Sequence, residues 1–266
     1  MTGTAVEKTA AAEVLGVAIA PLTMAGALDA VDAAIAGRRR LRIGVVNAAK
    51  LVNMRRDPLL RADVVSSDLV LADGMSVVWA SRLLGRGLPE RVAGIDLMTG
   101  ILERGRKLGY RLYLLGATAE VLEEATANIC SRFPGIQVVG RQHGYFSAAE
   151  EPEIAARISA ARPDVLLVAM SSPRKEHFMA RWGSELEVTV LHGVGGSFDV
   201  LAGRVRRAPA LWQRLGLEWL YRVVQEPRRL WRRYLVTNTV FLCQVTKALV
   251  VQLGRRRHRS ADTARV

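Results

Sequence analysis

Residues 165–194 read VLLVAMSSPRKEHFMARWGSELEVTVLHGV and combine two apolar runs with a polar helical segment. The unbroken run Val165–Met170 predicts a strand buried on both faces. Pro173 then begins a helix at its favoured first-turn position. A second strand is predicted over Val188–Val194, where the chain enters a glycine turn. Apolar strands that alternate with helices in this way predict a parallel sheet covered on both faces.

The residues before this stretch show the same alternation of predicted strands and helices. Further strands are predicted at Val14–Ala20, Leu41–Val46, Leu69–Ala72, Arg111–Leu115 and Gln137–Gly140. Helices are predicted from a Thr23 cap to Ala36, and over Ala48–Arg56, Met75–Leu84, Asp96–Leu108, Ala119–Phe133 and Glu151–Ala161. The predicted fold class is therefore α/β, with a parallel sheet between two layers of helices.

Polar and glycine residues follow several of these strands, and parallel sheets bind ligands beyond their carboxyl ends. The residues at predicted strand ends are Asn47, Asp73, Gly116, Ser171, Ser172 and Gly193–Gly196. We group them into one predicted site. Each also has a simpler interpretation. Asp73 is either a general base or the cap of the next helix, and Gly116 begins either a nucleotide-binding turn or a packing turn.

Charged residues near these turns leave similar alternatives open. Ser172, Lys175 and Glu176 open a helix whose N–H groups suit an anion, but the same residues satisfy ordinary capping. Arg91 is either a surface residue or a donor to phosphate or to a sugar carboxylate, and Asp96 fits a helix cap. The four histidines and two cysteines lack metal-ligand spacing, so we predict no metal and no cofactor. The N-terminus lacks the basic region of a signal peptide.

The C-terminal part, which we call the arm (residues 204–254), differs from the rest in charge. The protein has 266 residues and a net charge of +13. From Arg204 to Arg259 there are 14 Lys/Arg against two acids, whereas residues 1–203 carry 23 Lys/Arg against 22 acids. A basic, Trp-rich segment suits an anionic membrane surface or an acidic substrate, with nucleic acid as the competing partner. Gly193, Gly195 and Gly196 join this arm to the last strand.

The most apolar part of the arm is Leu235–Leu253. A lysine near the centre of a spanning helix costs roughly 2.5–3.5 kcal/mol. Because Lys247 lies within the segment, an interfacial amphipathic helix fits better than a span. We predict a flexible tail over 1–13, a core over 14–203, the arm over 204–254 and a disordered basic tail over 255–266.

Seven segments, taken together and in order, resemble the WecG/TagA/CpsF glycosyltransferase family (glycosyltransferase family 26). They are LADGMSVVWASRLLG, LPERVAGIDLM, RLYLLGA, GYF, RPDVLLVAMSSPRKE, HGVGGSFDVLAG and RRAP…LGLEWLYRVVQEPRRLWRRYL, within residues 15–235. The resemblance implies a Rossmann-like core. It also implies an inverting, metal-independent transfer of a sugar from a UDP-sugar to a polyprenyl-diphosphate-linked acceptor. The reaction would take place at the cytoplasmic face of the cell membrane, in building the bacterial cell envelope.

The resemblance also implies roles for individual residues. Asp73 matches the proposed base of the family, and Asn47 and Arg91 match residues of its site. The arginines of the arm would close that site. The remaining residues that we expect to bind substrate are Gly94, Gly116, Ser172, Lys175, Glu176, Gly193, Gly195, Gly196, Asp199, Arg222, Arg228, Arg229 and Arg232. A peripheral enzyme that self-associates and binds no nucleic acid is expected.

Two departures from the family pattern predict a different sugar or acceptor. Val45 replaces a frequent threonine, and Lys175 replaces a frequent glutamine. Lys175 would pair with a diphosphate or with the carboxylate of a uronic acid. The donor sugars we consider are N-acetylmannosamine, its uronic acid and glucuronic acid, and the expected context is exopolysaccharide biosynthesis. The alternative is a non-enzymatic α/β protein whose basic arm binds membrane or nucleic acid.

Overall fold

The structure, a computed structural model, describes residues 11–263, and of Arg229 and residues 255–263 it describes the backbone alone. The strands are β1 (Ala12–Val14), β2 (Val17–Ile19), β3 (Leu41–Val46), β4 (Leu69–Ala72), β5 (Arg111–Gly116), β6 (Gln137–Gln142), β7 (Val165–Ala169) and β8 (Val190–Gly193). The helices are α1 (Met24–Ala36), α2 (Ala48–Arg56), α3 (Pro58–Val65), α4 (Met75–Leu83), α5 (Gly94–Leu108), α6 (Ala119–Arg132), α7 (Glu151–Ala161), α8 (Arg174–Trp182), α9 (Ser197–Leu201), α10 (Ala210–Arg214), α11 (Glu218–Gln225) and α12 (Pro227–Thr263).

Six strands form one sheet in the order β4-β3-β8-β7-β5-β6, and every neighbouring pair is parallel. The α/β, Rossmann-like fold predicted from the sequence is therefore confirmed. The predicted strand over Val14–Ala20 is instead a small antiparallel hairpin, β1–β2, because Leu15 and Gly16 both take positive φ and turn the chain. The hairpin begins at Ala12, within the predicted tail.

Side chains from alternate positions of the sheet enter two different apolar layers. On one face, Leu112, Leu114 and Leu167 join α1, α5 and α6 in a single buried cluster. On the other face, Leu115 and Val168 pack with residues of α7 and α8. The two faces follow from the period-2 geometry of a strand, and their burial explains why the sequence of these strands is apolar at nearly every position.

The arm is helical and packs on the core. Its helix α12 contacts α2 and α11. Phe241 and Val245 of α12 belong to the same buried cluster as Leu51 and Met54 of α2. Leu235 and Leu242 of α12 lie outside this buried face and are 60% and 66% exposed. The helix therefore carries exposed apolar residues in addition to the apolar face that it buries against the core.

Part of α12 also meets the length and composition of a membrane-crossing helix. This part is Leu230–Gly254, and 17% of its apolar window is buried. The helix runs past the predicted domain boundary at 254 to Thr263. Residues 1–10 and 264–266, and the side chains of 255–263, lie outside the described residues. The predicted tails fall largely on them.

Candidate active site

All six strands of the sheet point the same way, so the turns that follow them meet at one edge. Asp73 follows β4, and its backbone N–H donates to the carbonyl oxygen of Val46, at the end of β3, at 2.8 Å. Its side chain leaves the turn and accepts a hydrogen bond from the backbone N–H of Gly94, with Oδ1 and N 2.9 Å apart. Helix α4 has Gly74 as its N-cap and no side-chain cap. The alternative that Asp73 caps this helix is therefore wrong.

The electrostatic surroundings of Asp73 suit a proton acceptor. Burial raises the pKa of its carboxyl above the usual value, and the carboxylate of Glu218 raises it further. The Gly94 N–H, Lys50 and Arg222 act in the opposite direction and favour the ionised form. Glu218 and Arg222 belong to α11, so the arm contributes directly to the electrostatics of Asp73.

Gly94 also connects Asp73 to the centre of the sheet. The Nε2 atom of His192, on β8, is 3.0 Å from the Gly94 carbonyl oxygen. The His192 side chain is fully buried, and burial lowers its pKa to about 4. Hydrogen bonds thus run from β8 through the first residue of α5 to Asp73.

Beneath the site lies a buried ionic cluster of two lysines and one glutamate. The Nζ atoms of Lys50 and Lys175 are 2.6 and 2.9 Å from the same oxygen, Oε1 of Glu176. Although burial opposes ionisation, the two lysines lower the pKa of Glu176 to about 2. Burial and the charge of Lys50 lower the pKa of Lys175 to about 8. Lys175, which we predicted to meet substrate, thus already has a carboxylate partner.

A chain of ion pairs joins the arm to the core above Asp73. Arg91 Nη1 is 2.7 Å from Oε2 of Glu218 on α11, and Arg91 Nη2 is 3.6 Å from Asp96. Asp96 in turn pairs with Arg207 at 2.6 Å, and Glu218 lies 3.9 Å from Arg222. This series of ion pairs begins and ends on the arm, and its middle members, Asp96 and Arg91, belong to the core. Asp96 is in the first turn of α5 and therefore does not cap it.

The arginines of the arm are divided between the site and the outer surface. Arg222 affects the pKa of Asp73 and lies near the ionic chain. Arg228 and Arg232 are exposed, and Arg232 lies over the ring of the adjacent Trp231. The side chain of Arg229 lies outside the described residues. Of the predicted group, the structure brings Arg222 to the site.

The glycine turns at the sheet edge are required by close packing. A Cβ at Gly116, where φ is +130°, would lie 2.3 Å from the carbonyl oxygen of Ala169. A Cβ at Gly193 would lie 3.2 Å from the side chain of Lys175. The packing interpretation of Gly116 is thus sufficient to explain that residue. Gly193 makes room for the lysine beneath it.

The remaining predicted residues surround this edge. Asn47 caps α2 by accepting from the Lys50 N–H at 3.0 Å, and it lies against Gly74. Ser172 is exposed before α8. Gly195 and Gly196 lead into α9, whose first turn contains Asp199. The N–H groups of Val194 and Gly195 both donate to the Val168 carbonyl oxygen, at 2.9 and 3.3 Å, so they are used within the fold.

Sequence reasoning missed three residues of this site: Lys50, His192 and Glu218. Lys50 and His192 each offered a signal, since a charged or polar residue within an apolar helix or strand needs a partner. Glu218 offered a weaker one, as one of only two acids in a segment with 14 basic residues. Among the residues whose side chains are described, no group of three His, Cys, Asp or Glu is arranged to hold a metal ion.

Comparison with known proteins shows the family to which the chain belongs. Residues 12–255 match the model of the glycosyl transferase WecG/TagA/CpsF family. An N-acetylglucosaminyldiphosphoundecaprenol N-acetyl-beta-D-mannosaminyltransferase from Bacillus spizizenii is 38% identical over 180 residues, which cover 68% of this chain and 69% of the relative. The non-enzymatic alternative is therefore set aside. The chain is a glycosyltransferase and belongs to the WecG/TagA/CpsF family.

Proposed function

We propose that this glycosyltransferase moves a sugar from a UDP-sugar to a polyprenyl-diphosphate-linked acceptor, with Asp73 as general base. The observation that carries the proposal is the placement of Asp73: a carboxylate at the ligand edge of the sheet, held by the Gly94 N–H and raised in pKa by burial. A raised pKa makes a carboxylate a stronger base. The related Bacillus protein is named for a transfer onto a diphosphoundecaprenol-linked sugar.

The reaction would be a direct displacement that inverts the anomeric carbon. The acceptor hydroxyl oxygen forms a bond to that carbon, while the bond from the carbon to the UDP oxygen breaks and UDP leaves with the electron pair. Asp73 takes the hydroxyl proton. In the Gly193–Gly196 turn, Val194 and Gly195 donate their N–H groups to Val168. The Gly196 N–H and the Arg222 guanidinium would therefore stabilise the leaving diphosphate by hydrogen bonding and charge, without a metal ion.

The donor sugar is the finer part of the proposal. N-acetylmannosamine is the first candidate, because the Bacillus relative is named for its transfer. The uronic acid of that sugar and glucuronic acid follow, because Lys50 and Lys175 share one glutamate and leave a surplus positive charge beneath the Gly193 turn. We place the product in surface polysaccharide or exopolysaccharide assembly.

The test is a panel of UDP-sugars supplied with N-acetylglucosaminyl-diphospho-polyprenol, and mass spectrometry of the lipid product. Asp73→Asn should reduce turnover by about 10²–10⁴-fold, the usual contribution of a general base. The variant should bind UDP as wild type does, since the amide keeps an acceptor for the Gly94 N–H. Turnover near that of wild type would rule out Asp73 as the base.

We further propose that the exposed apolar face of α12 lies on the cytoplasmic face of the membrane, as a peripheral contact. Leu235 and Leu242 are apolar and exposed, and basic residues lie around them in the arm. A Leu235→Asp/Leu242→Asp protein should lose most of its cosedimentation with vesicles of anionic phospholipid. Leu108 of α5 is equally exposed at 60%, so Leu108→Asp is the matched control. Equal vesicle binding by the arm variant and the control would contradict the proposal.

A further inference from the structure

The His192 ring, at the centre of the sheet, is held in one hydrogen-bonded state. Its Nε2 atom is 3.0 Å from the Gly94 carbonyl oxygen. A carbonyl only accepts, so the hydrogen of this bond is on Nε2. Because burial keeps the ring neutral, Nδ1 carries no hydrogen, and it has no hydrogen-bond partner among the described residues.

A buried imidazole at this position costs more than an apolar side chain would. Neighbouring strand residues such as Val190 and Leu191 are fully buried and apolar. Burying a polar atom without a partner is unfavourable, and the bare Nδ1 of His192 is such an atom. Packing alone therefore does not explain the histidine. What it offers that a leucine would not is the Nε2–H donor to Gly94.

Gly94 is the residue through which that donor acts on the site. Its carbonyl accepts from His192, and its own N–H donates to Oδ1 of Asp73 at 2.9 Å. Gly94 is also the first residue of α5, the helix whose N-terminal turn faces Asp73. A shift of this residue would lengthen the backbone hydrogen bond from Gly94 that orients the carboxylate.

We propose that His192 is a positioning residue for the catalytic base: its Nε2–H fixes Gly94, and Gly94 fixes Asp73. The inference rests on the proposed function, since it takes Asp73 as the base. Gly193 directly follows His192 in the chain and begins the turn proposed to hold the leaving diphosphate. His192 therefore lies next to both parts of the proposed reaction. It is linked through Gly94 to the proton acceptor, and it is the chain neighbour of the turn from which UDP would leave.

The test compares His192→Met with His192→Gln. The two side chains have nearly the same length and shape, but only glutamine has an N–H that can reach the Gly94 carbonyl. The other charged groups that act on Asp73 and His192 are Glu218, Arg222, Lys50 and Lys175, and they are the same in both variants. His192→Leu serves as the apolar variant if the Met protein does not fold.

With the donor found in the UDP-sugar panel, His192→Met should lose at least about tenfold in kcat, because small misplacements of a catalytic group cost up to about 10²-fold. Its KM for the donor should stay within about twofold. The acidic limb of its pH profile of kcat should move to higher pH, because a weaker hydrogen bond from Gly94 leaves the Asp73 anion less stabilised. His192→Gln should recover most of kcat and return the limb toward its wild-type position.

A second measurement does not depend on turnover. The Asp73 carboxyl can be titrated by NMR in protein labelled with ¹³C-aspartate, with Asp73→Asn to assign the signal. We expect a higher pKa for Asp73 in the Met variant than in the wild type, and a value near wild type in the Gln variant. Equal pKa values and equal kcat in the two variants would overturn the role of His192. If wild type transfers no sugar but the pKa shift is found, the proposed function fails and the positioning holds.

Discussion

Replacing His192 should change how the stability of the protein depends on pH. Burial lowers the pKa of His192 to about 4, from an ordinary value of 6.5. Below pH 6.5 the unfolded chain binds a proton at this residue that the folded chain rejects until pH approaches 4. The contribution of the neutral, buried ring to the free energy of unfolding is therefore fully present above pH 6.5, and it is lost as pH falls toward 4. Between pH 7.5 and 5.0 the loss is about 2 kcal/mol.

The assay is urea unfolding of wild type and His192→Gln at the two pH values, followed by circular dichroism. Glutamine does not titrate, so the variant lacks this contribution, while every other titrating group is shared. The free energy of unfolding of wild type should fall by about 2 kcal/mol more than that of the variant. Equal losses in the two proteins, within about 0.5 kcal/mol, would show that the ring is not buried in its neutral form.

Three further predictions concern the ionic groups and the arm. Glu176→Gln leaves the ammonium groups of Lys50 and Lys175 buried without a carboxylate, so it should destabilise the protein by about 3–5 kcal/mol in urea unfolding. Gly216→Ala should loosen the arm, since φ is +68° there and a Cβ would lie 2.8 Å from Met75, and trypsin should cleave the arm faster. Glu218→Gln should lower the Asp73 pKa and move the acidic limb of turnover to lower pH, because the negative charge near Asp73 is removed.

The sheet and the grouping of the site were predictable because they depend on local pattern. Apolar runs bounded by turns identified the strands from β3 onward, and a parallel arrangement is enough to bring Asn47, Asp73 and Gly193 to one edge. The hairpin β1–β2 was not predicted, because its two strands have three residues each and the turn between them contains a leucine with positive φ. A pattern so short does not distinguish one strand from two.

The partners within the site were not predictable from the same pattern. Lys50 and Glu176 are 126 positions apart, and Arg91 and Glu218 are 127 apart, so no local spacing relates them. The sequence showed that charged residues occur in apolar segments, but not which of them meet. For Asp73 it left a cap and a base as alternatives. The structure excludes the cap, because the Asp73 carboxylate accepts from the N–H of Gly94, 21 residues away, and Gly74 is the N-cap of α4.

The docking of α12 has a consequence for the choice of acceptor. Phe241 and Val245 fix one face of this helix to the core, while Leu235 and Leu242 of the same helix are exposed. A helix held in this way is rigidly attached to the core and is not a flexible membrane anchor. If it rests on a bilayer, its docking sets the height and tilt of the whole sheet above the lipid headgroups. Asp73 then lies at one fixed distance from the membrane surface. The enzyme would then select an acceptor by two properties. One is the distance from its membrane-anchored diphosphate to its reactive hydroxyl, and the other is the shape of its sugar.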